Sequence, residues 1–456
     1  MERSRIQSNF CRGLLAAGLL SAAISGVAET EEPRGPTAAD EIVTSVADLK
    51  LRMLLDEMLE RNPRLARMQA EASAVAERVP QVKALPDPTA SLTWFLLPPQ
   101  TRVGPQRAAV NLSQRLPLFG TLKLDEQAAV WEAAASRALV EAARISMLTE
   151  ARVSYLELQF LDSERRLVGE DRLTLEHYAE LALARYASGV GLDQAVIKIQ
   201  AEITRTGARL FGIASRRASV VARLNAMRDR PQTTPLVIGE PSSSHEPVLD
   251  ADQLRIRALE SRPELAAAQA RVEAAELRVD RRKKSYSPNL VVGLNYGYVS
   301  GRSDEAGRLN PPQDNGQDIL GLSGGVSVPL WRSKLEAGVE EGVLTRLAAE
   351  EGRREITAAI DGGLGDLIHR IPLLVDQVEL YDDVLLVQAR QSLLSAESAY
   401  AAGTAGALDL LDAERVLNGV RIAAERIRAD LGIAFAKLEG VIAGPLMPLN
   451  DEEIKQ

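Results

Sequence analysis

The chain says nearly everything twice. "NPRLARMQA" (Asn62 to Ala70) is answered 200 positions on by "RPELAAAQA" (Arg262 to Ala270), and the correspondence runs through Ala74 and Ala274, Arg78 and Arg278, and Val79 and Val279 to Pro88 and Pro288. "RLPLF" (Arg115 to Phe119) faces "SVPLW" (Ser327 to Trp331) at an offset of 212. Tyr186, Ala187 and Gly189 then face Tyr400, Ala401 and Gly403 at 214, as Leu224 faces Leu438. This is a tandem duplication with two copies, too few for a solenoid. The repeats are expected at 46–229 and 251–442, joined by the Pro/Ser-rich stretch 230–250 as a linker. A flexible segment at 29–45 and a tail at 443–456 flank them.

Within each half the order of elements is helix, two short strands, a very long helix, a glycine interruption and a returning helix. No proline occurs from Leu118 to Arg230, and apolar residues recur at three- and four-residue spacing, as in Leu148, Val153, Leu156, Phe160 and Leu167. A helix from about Lys123 to Tyr186 is roughly 95 Å long at 1.5 Å per residue, the length of a coiled coil or bundle. The second long helix, about Ser333 to Ala399, contains Gly362, Gly363, Gly365 and Pro372, which predict a kink or break. Only 4% of residues are aromatic, and a net charge of −9 without a basic stripe argues against nucleic-acid binding.

The strands alternate apolar residues with small polar ones. Leu290, Val292, Leu294, Tyr296 and Tyr298 alternate with Val291, Gly293, Asn295 and Gly297; Leu320, Leu322, Val326, Val328 and Leu330 alternate with Gly321, Ser323, Gly325 and Ser327. Ala90, Leu92, Trp94 and Leu96, and Val110, Leu112 and Leu116, echo this in the first half. The strands are placed at about 88–97, 107–117, 288–299 and 319–330, each of about 10 residues, the length of a tilted membrane strand. A soluble sheet packed on one face is the alternative for any single pair. Trp94, Tyr296, Tyr298 and Trp331 stand where an interfacial aromatic girdle falls. Four strands cannot close a barrel, and lipid tolerates no open edge, so membrane strands imply several pooled chains.

The N-terminus reads as a secretory signal over 1–28: Arg3, Arg5 and Arg12, then "GLLAAGLLSAAI" (Gly13 to Ile24), then Gly26-Val27-Ala28 before a cleavage point. The apolar core is too short to span a bilayer. The one cysteine, Cys11, lies inside this segment, so the exported chain is expected to depend on packing rather than disulfides.

The duplicated "RNPRL" and "SRPEL" starts, the strand-ending "LPLFG" and "VPLW" and the "YASG" and "YAAGT" turns resemble the TolC-like outer-membrane efflux proteins over nearly the whole mature chain. "ALPDP" and "SQRLPLFGTLKL" look closest to the heavy-metal efflux branch. The resemblance implies a mainly α fold with a small membrane β part. In it a homotrimer pools about 12 strands in one outer-membrane barrel, continued by a long α-helical barrel through the periplasm. It implies an exit duct of a tripartite efflux pump or type I secretion system, with a periplasmic adaptor and an RND-type or ABC-type inner-membrane pump as partners. The turns at 186–193 and 400–407 would be periplasmic tips, with Tyr186, Gly189, Val190, Tyr400, Gly403 and Thr404 as adaptor contacts. A plain turn between helices is the simpler account. Gly189 and Gly403 supply positive φ there, and Asp193 is placed to cap the returning helix.

Asp409 and Asp412 are three apart on one helix face, whereas the first copy has Ala195 and Lys198. Either they form a solvated face suited to a helix N-terminus, or, as the resemblance implies, they line the pore entrance as a cation-attracting ring. Some family members close this entrance with an arginine where this chain has Ala405, which puts that closure in doubt. "RRKK" (Arg281 to Lys284) suits either anionic headgroups or a helix C-terminus. His177, His245 and His369 are scattered, and no nucleophile, phosphate-loop or metal-ligand constellation occurs. No enzyme activity, cofactor or bound metal is expected. The rival from another class is a periplasmic adaptor or other exported coiled-coil structural protein.

Overall fold

The computed structural model describes residues 37–446, apart from 45, 47, 118, 190–192 and 240–249. The expected signal 1–28, the tip residue Val190 and the last residues of the expected tail lie outside the described residues.

Each repeat opens on a pair of short helices set by local capping. Asp48 Oδ1 accepts from Lys50 N at 2.9 Å and starts the helix Leu49–Arg61. Asn62 then ends that helix and caps Pro63–Ala76, its Oδ1 accepting from Leu65 N at 3.1 Å with Pro63 at the first helical position. The second copy repeats the design: Asp250 caps Ala251–Ser261, and Arg262-Pro263 begins Pro263–Lys283. Part of the segment expected to be flexible is a helix instead, Ala38–Thr44. Ala39, Ile42 and Val43 fall at helical spacing and bury in the main core, and Ala39 N donates to Glu141 Oε1 at 3.1 Å.

The first long helix spans Thr121–Ala187, 67 residues, about 100 Å at 1.5 Å per residue. Its buried stripe of Leu148, Ala151, Tyr155, Leu158 and Leu161 forms the main core with Ile213, Val220, Val221 and Leu224 of the first return helix, Asp193–Met227. The second long helix runs unbroken over Arg332–Glu379, so the break that its glycines and Pro372 allowed for does not occur there. Ile360, Leu364, Leu367, Ile371 and Leu374 form a buried stripe against Phe435 and Leu438 of the second return helix, Ala407–Val441. The three glycines lie off that stripe, so packing overrides their poor propensity.

The irregularity comes later, as a π-helical segment Leu380–Leu385, before the helix resumes at Leu386–Ala401. The offset between copies grows from 212 to 214 between Trp331 and Tyr400, the stretch that holds this segment.

The strands form one antiparallel sheet in the order β1 (Thr89–Trp94), β3 (Gly104–Leu116), β4 (Asn289–Val299) and β5 (Ile319–Ser327), with the two-residue β2 (Gln100–Thr101) pairing β3. The copies join through β3 and β4, with Leu112 opposite Leu294 and Val110 opposite Tyr296. Trp331 falls outside β5 and instead precedes the second long helix.

The helices are ordered as well. The first return helix packs on the first long helix, that on the second return helix, and that in turn on the second long helix.

Candidate functional site

The two glycine turns are built alike. At the second, Gly403 has φ 76°; its N–H donates to Tyr400 O at 3.1 Å, and Thr404 N donates to Ala399 O at 2.9 Å. This pair of bonds closes a helix C-terminus around a left-handed residue. At the first, Gly189 has φ 79° and donates to Tyr186 O at 3.0 Å. The return helix there is described from Asp193 on, with that carboxylate in its first turn.

The turns touch each other through a residue that sequence reasoning passed over. Arg185 Nη2 donates to Tyr400 O, and its guanidinium carbon lies 3.9 Å from the Tyr400 ring centroid. Tyr400 is only 7% exposed, packed with Leu175, Tyr178, Val196, Ile199, Leu410 and Leu411. Its expected role as a surface contact is therefore corrected: within this chain it ties the turns together. Tyr186, at 48% exposure, is the presented tyrosine. Gly189, Gly403 and Thr404 are exposed.

Asp409 and Asp412 both face solvent, but differ in chemistry. Asp409 Oδ2 accepts from Gly406 N at 2.8 Å, so it caps its helix. No described residue hydrogen-bonds or ion-pairs with Asp412.

Behind the turns lies a second group missed from sequence. Asp171 of the first long helix and Glu414 of the second return helix are buried. Burial, then the charge of Glu202, raises Asp171 to about 6, against Arg209 and hydrogen bonds from Thr206 and Asn418. Burial and then Asp171 raise Glu414 to about 7, with Arg421 opposing and Glu397 adding. Tyr178, whose hydroxyl donates to Glu397 Oε1 at 3.1 Å, is raised by burial and by Glu414 and Glu397. The signal was present: Asp171 sits in the stripe Leu167, Val168, Leu175 and Tyr178, and Glu414 in Leu410, Leu411 and Leu417.

At the other end, the sheet leaves its apolar face bare. Leu92, Trp94, Leu112, Leu294, Tyr296, Tyr298, Leu320 and Leu322 are all exposed within the chain, as is Trp331. The opposite face carries Ser91, Asn111, Asn295 and Gly321 in register. The "RRKK" cations have a local explanation, since Arg281 pairs with Asp125, Arg282 with Glu341 and Lys283 with Asp280. Among the described residues no helix is long and apolar enough to cross a membrane, and no group of three or more His, Cys, Asp or Glu is placed to hold a metal.

A bare apolar sheet with open edges, carried on two long helical hairpins, defines a β-type membrane protein with a large water-facing helical part. The sequence matches the family model of the outer membrane efflux protein over residues 54–227 and 254–444, so the chain belongs to that family. The fold is shared with the outer-membrane protein VceC of Vibrio cholerae at 21% identity, covering 91% of this chain and all of that one with a TM-score of 0.75. It is shared with the MtrE channel of Neisseria gonorrhoeae in its open state at 19% identity, covering 91% and 94% with a TM-score of 0.72. The CmeC channel of Campylobacter jejuni is similar at 14% identity, covering 94% and 93% with a TM-score of 0.72. No curated protein sequence matches the chain. The protein is thus an outer membrane efflux protein, not an enzyme, and the rival reading as an adaptor is set aside.

Proposed function

We propose that three copies of this chain form the exit duct of a tripartite efflux pump, with the glycine turns as its periplasmic entrance. The observation that carries this reading is the pair of open edges. Among the described residues β1 and β5 each lack an outer partner, while Phe211 and Ile197 on the first return helix, Leu373 on the second long helix and Leu394 on its continuation Leu386–Ala401 stay exposed. Edges that differ in this way suit a head-to-tail contact that closes into a ring. Three copies supply about 12 strands, enough for a membrane barrel. In that ring Asp412 acts as the free carboxylate of a cation-attracting entrance, with Asp409 both charged and structural. Tyr186, Gly189 and Thr404 offer the surface for the periplasmic adaptor. An RND-type or ABC-type inner-membrane pump supplies energy and most of the substrate choice. The heavy-metal likeness of "ALPDP" and "SQRLPLFGTLKL" makes metal ions the first substrates to try.

Outer-membrane fractionation followed by heat-modifiable migration tests the assembly. A trimer that dissociates only on heating is expected, and a soluble periplasmic monomer refutes the reading. Susceptibility profiling of a deletion strain against metals, dyes and antibiotics then identifies the cargo.

A further inference from the structure

The duplication leaves one helix contact unmade. The helix Pro263–Lys283 packs on both long helices, whereas among the described residues its counterpart Pro63–Ala76 packs extensively on only the first of them. The second long helix therefore has a flank without a neighbour. It lies away from the side where Gly342 rests against Val279 and Arg353 donates to Gln269 at 2.7 Å.

The contact that is made shows what fits the one that is not. Arg281 donates to Asp125 at 2.9 Å, Arg278 pairs with Glu132, and Ala135 is buried with Ala267 and Ala270, Leu139 packing at the edge of that cluster. Positions rise along one helix as they fall along the other, so the two run antiparallel. At the offset of 212, Leu344, Leu347 and Glu351 of the second long helix stand for Glu132, Ala135 and Leu139. At the offset of 200, Arg67, Ala70 and Ala74 stand for Ala267, Ala270 and Ala274. Each set recurs at three and four residues and so shares one helix face. Ala135, Ala267, Ala270 and Ala274 are buried, yet Arg67, Ala70 and Ala74 are exposed, as are Leu344 at 55% and Leu347 at 47%. Positions covered in the first contact are bare on both faces of the second.

We propose that this flank of the second long helix docks on the outer face of Pro63–Ala76 of a second copy of the chain, with Leu344 and Leu347 over Ala70 and Ala74 and Glu351 against Arg67. The faces complement each other in size, leucines meeting alanines as interdigitating helices require. They also complement each other in charge. Within the chain Glu351 pairs only with Arg354 at 2.8 Å and Arg67 only with Glu71 at 2.5 Å, all four side chains more than half exposed. Such exposed pairs contribute little, which leaves both charges able to exchange partners. The occupant is another copy because every chain carries both faces and does not bring them together. Two different faces on one chain make a head-to-tail contact. The same omission continues along the hairpins, where the first long helix packs on the second return helix and no extensive matching contact joins the second long helix to the first return helix. Leu161 is buried, its counterpart Leu373 is exposed, and Phe211 stands exposed on the first return helix. One neighbouring copy supplies both missing contacts.

The interface presupposes the ring of copies proposed above, but the two fail differently. The full chain carries Leu347→Cys together with Ala70→Cys, is oxidised in whole cells and is then fractionated. On a non-reducing gel this double variant is expected to give a ladder of linked copies, because each chain offers one cysteine to each neighbour. Either single variant, with Cys11 as its only other cysteine, is expected to stay at the size of one chain. Leu347→Cys with Gln69→Cys, on another side of the same short helix, is expected to give no ladder. Glu351→Arg is expected to lower the temperature at which the heat-modifiable assembly comes apart, and Arg67→Glu in the same chain to restore it. A cross-link confined to one chain, an equal ladder from the Gln69→Cys pair, or a charge reversal that its partner does not rescue would overturn the interface. A heat-resistant assembly without a ladder overturns it and leaves the duct standing. A ladder from a chain found only in soluble fractions supports the interface and refutes the duct.

Discussion

Arg185 and Tyr400 predict a pair of substitutions with opposite outcomes. The guanidinium of Arg185 stacks on the Tyr400 ring at 3.9 Å and donates to the Tyr400 carbonyl. At a half-exposed site the stacking contributes about 1 kcal/mol, and a charged donor to a neutral carbonyl about 1.5 kcal/mol. The two share one side chain and do not simply add, so Arg185→Ala is expected to loosen the turns by about 2 kcal/mol, roughly 30-fold in a local opening equilibrium. Tyr400→Phe should do nothing of the kind. It keeps the ring and the backbone carbonyl and removes a hydroxyl that is buried without a partner, relieving up to about 1 kcal/mol of desolvation. Hydrogen exchange of the segments 184–189 and 398–406 in the intact detergent-solubilised assembly reads such openings directly. Arg185→Ala should exchange roughly 30-fold faster there, and Tyr400→Phe no faster than the native protein. Unchanged protection in Arg185→Ala would refute the tie. Faster exchange in Tyr400→Phe would mean that the hydroxyl has a partner after all.

Gly403→Ala is expected to cost about 1 kcal/mol through backbone strain alone, because φ is 76° and a methyl there meets nothing within 4 Å; a thermal unfolding midpoint equal to the native one would contradict this. Asp409→Ala should lower thermal stability by about 1 kcal/mol through loss of its cap, whereas Asp409→Asn should largely retain it, its amide oxygen accepting from Gly406 N. Asp412→Ala should leave stability untouched and reduce cation selectivity in single-channel recordings, a result that equal selectivity would rule out. Leu322→Arg places a charge on the bare face of β5, where Leu322 is 80% exposed within the chain, at a cost of about 2–4 kcal/mol per copy in lipid. It should abolish the heat-resistant assembly, while Gly321→Ser on the opposite face leaves that assembly intact.

Much of the architecture was legible because it rests on local rules stated twice. Asp48 and Asp250, Asn62-Pro63 and Arg262-Pro263 mark helix starts, and strict alternation marks the strands. The pairing of β3 with β4 was not legible, since it joins strands separated by two long helices and alternation fixes faces rather than neighbours. The helix at Ala38–Thr44 was hidden because three buried residues give too short a pattern to separate from a flexible lead-in. The π segment at Leu380–Leu385 was not legible, since Pro372 and the glycines drew attention to a break that does not occur over Arg332–Glu379. In the candidate site, the turn glycines and the acidic pair stood out by residue type. Tyr400 was misassigned because its match with Tyr186 suggested equal exposure, and the buried acids were passed over because single carboxyls in long helices usually face water.

The mismatch between the tyrosines reflects how the two copies meet. Were they packed with matched faces, the first return helix would lie on the second long helix as the second return helix lies on the first long helix. Only the latter contact is extensive. Within the single chain, matched positions therefore fall in different surroundings: Tyr186 is exposed where Tyr400 is buried, and Ala195 is buried where Asp409 is exposed. Unequal surroundings remove the reason for equal residues. Arg185 stands where the second copy has Ala399, and Glu414 where the first has Gln200. Those substitutions gather at the seam between hairpins, where Arg185 supplies the tie between turns and Glu414 one of its two buried acids. The duplication thus builds the scaffold from what the copies share, and the chemistry at its narrow end comes from the residues they do not.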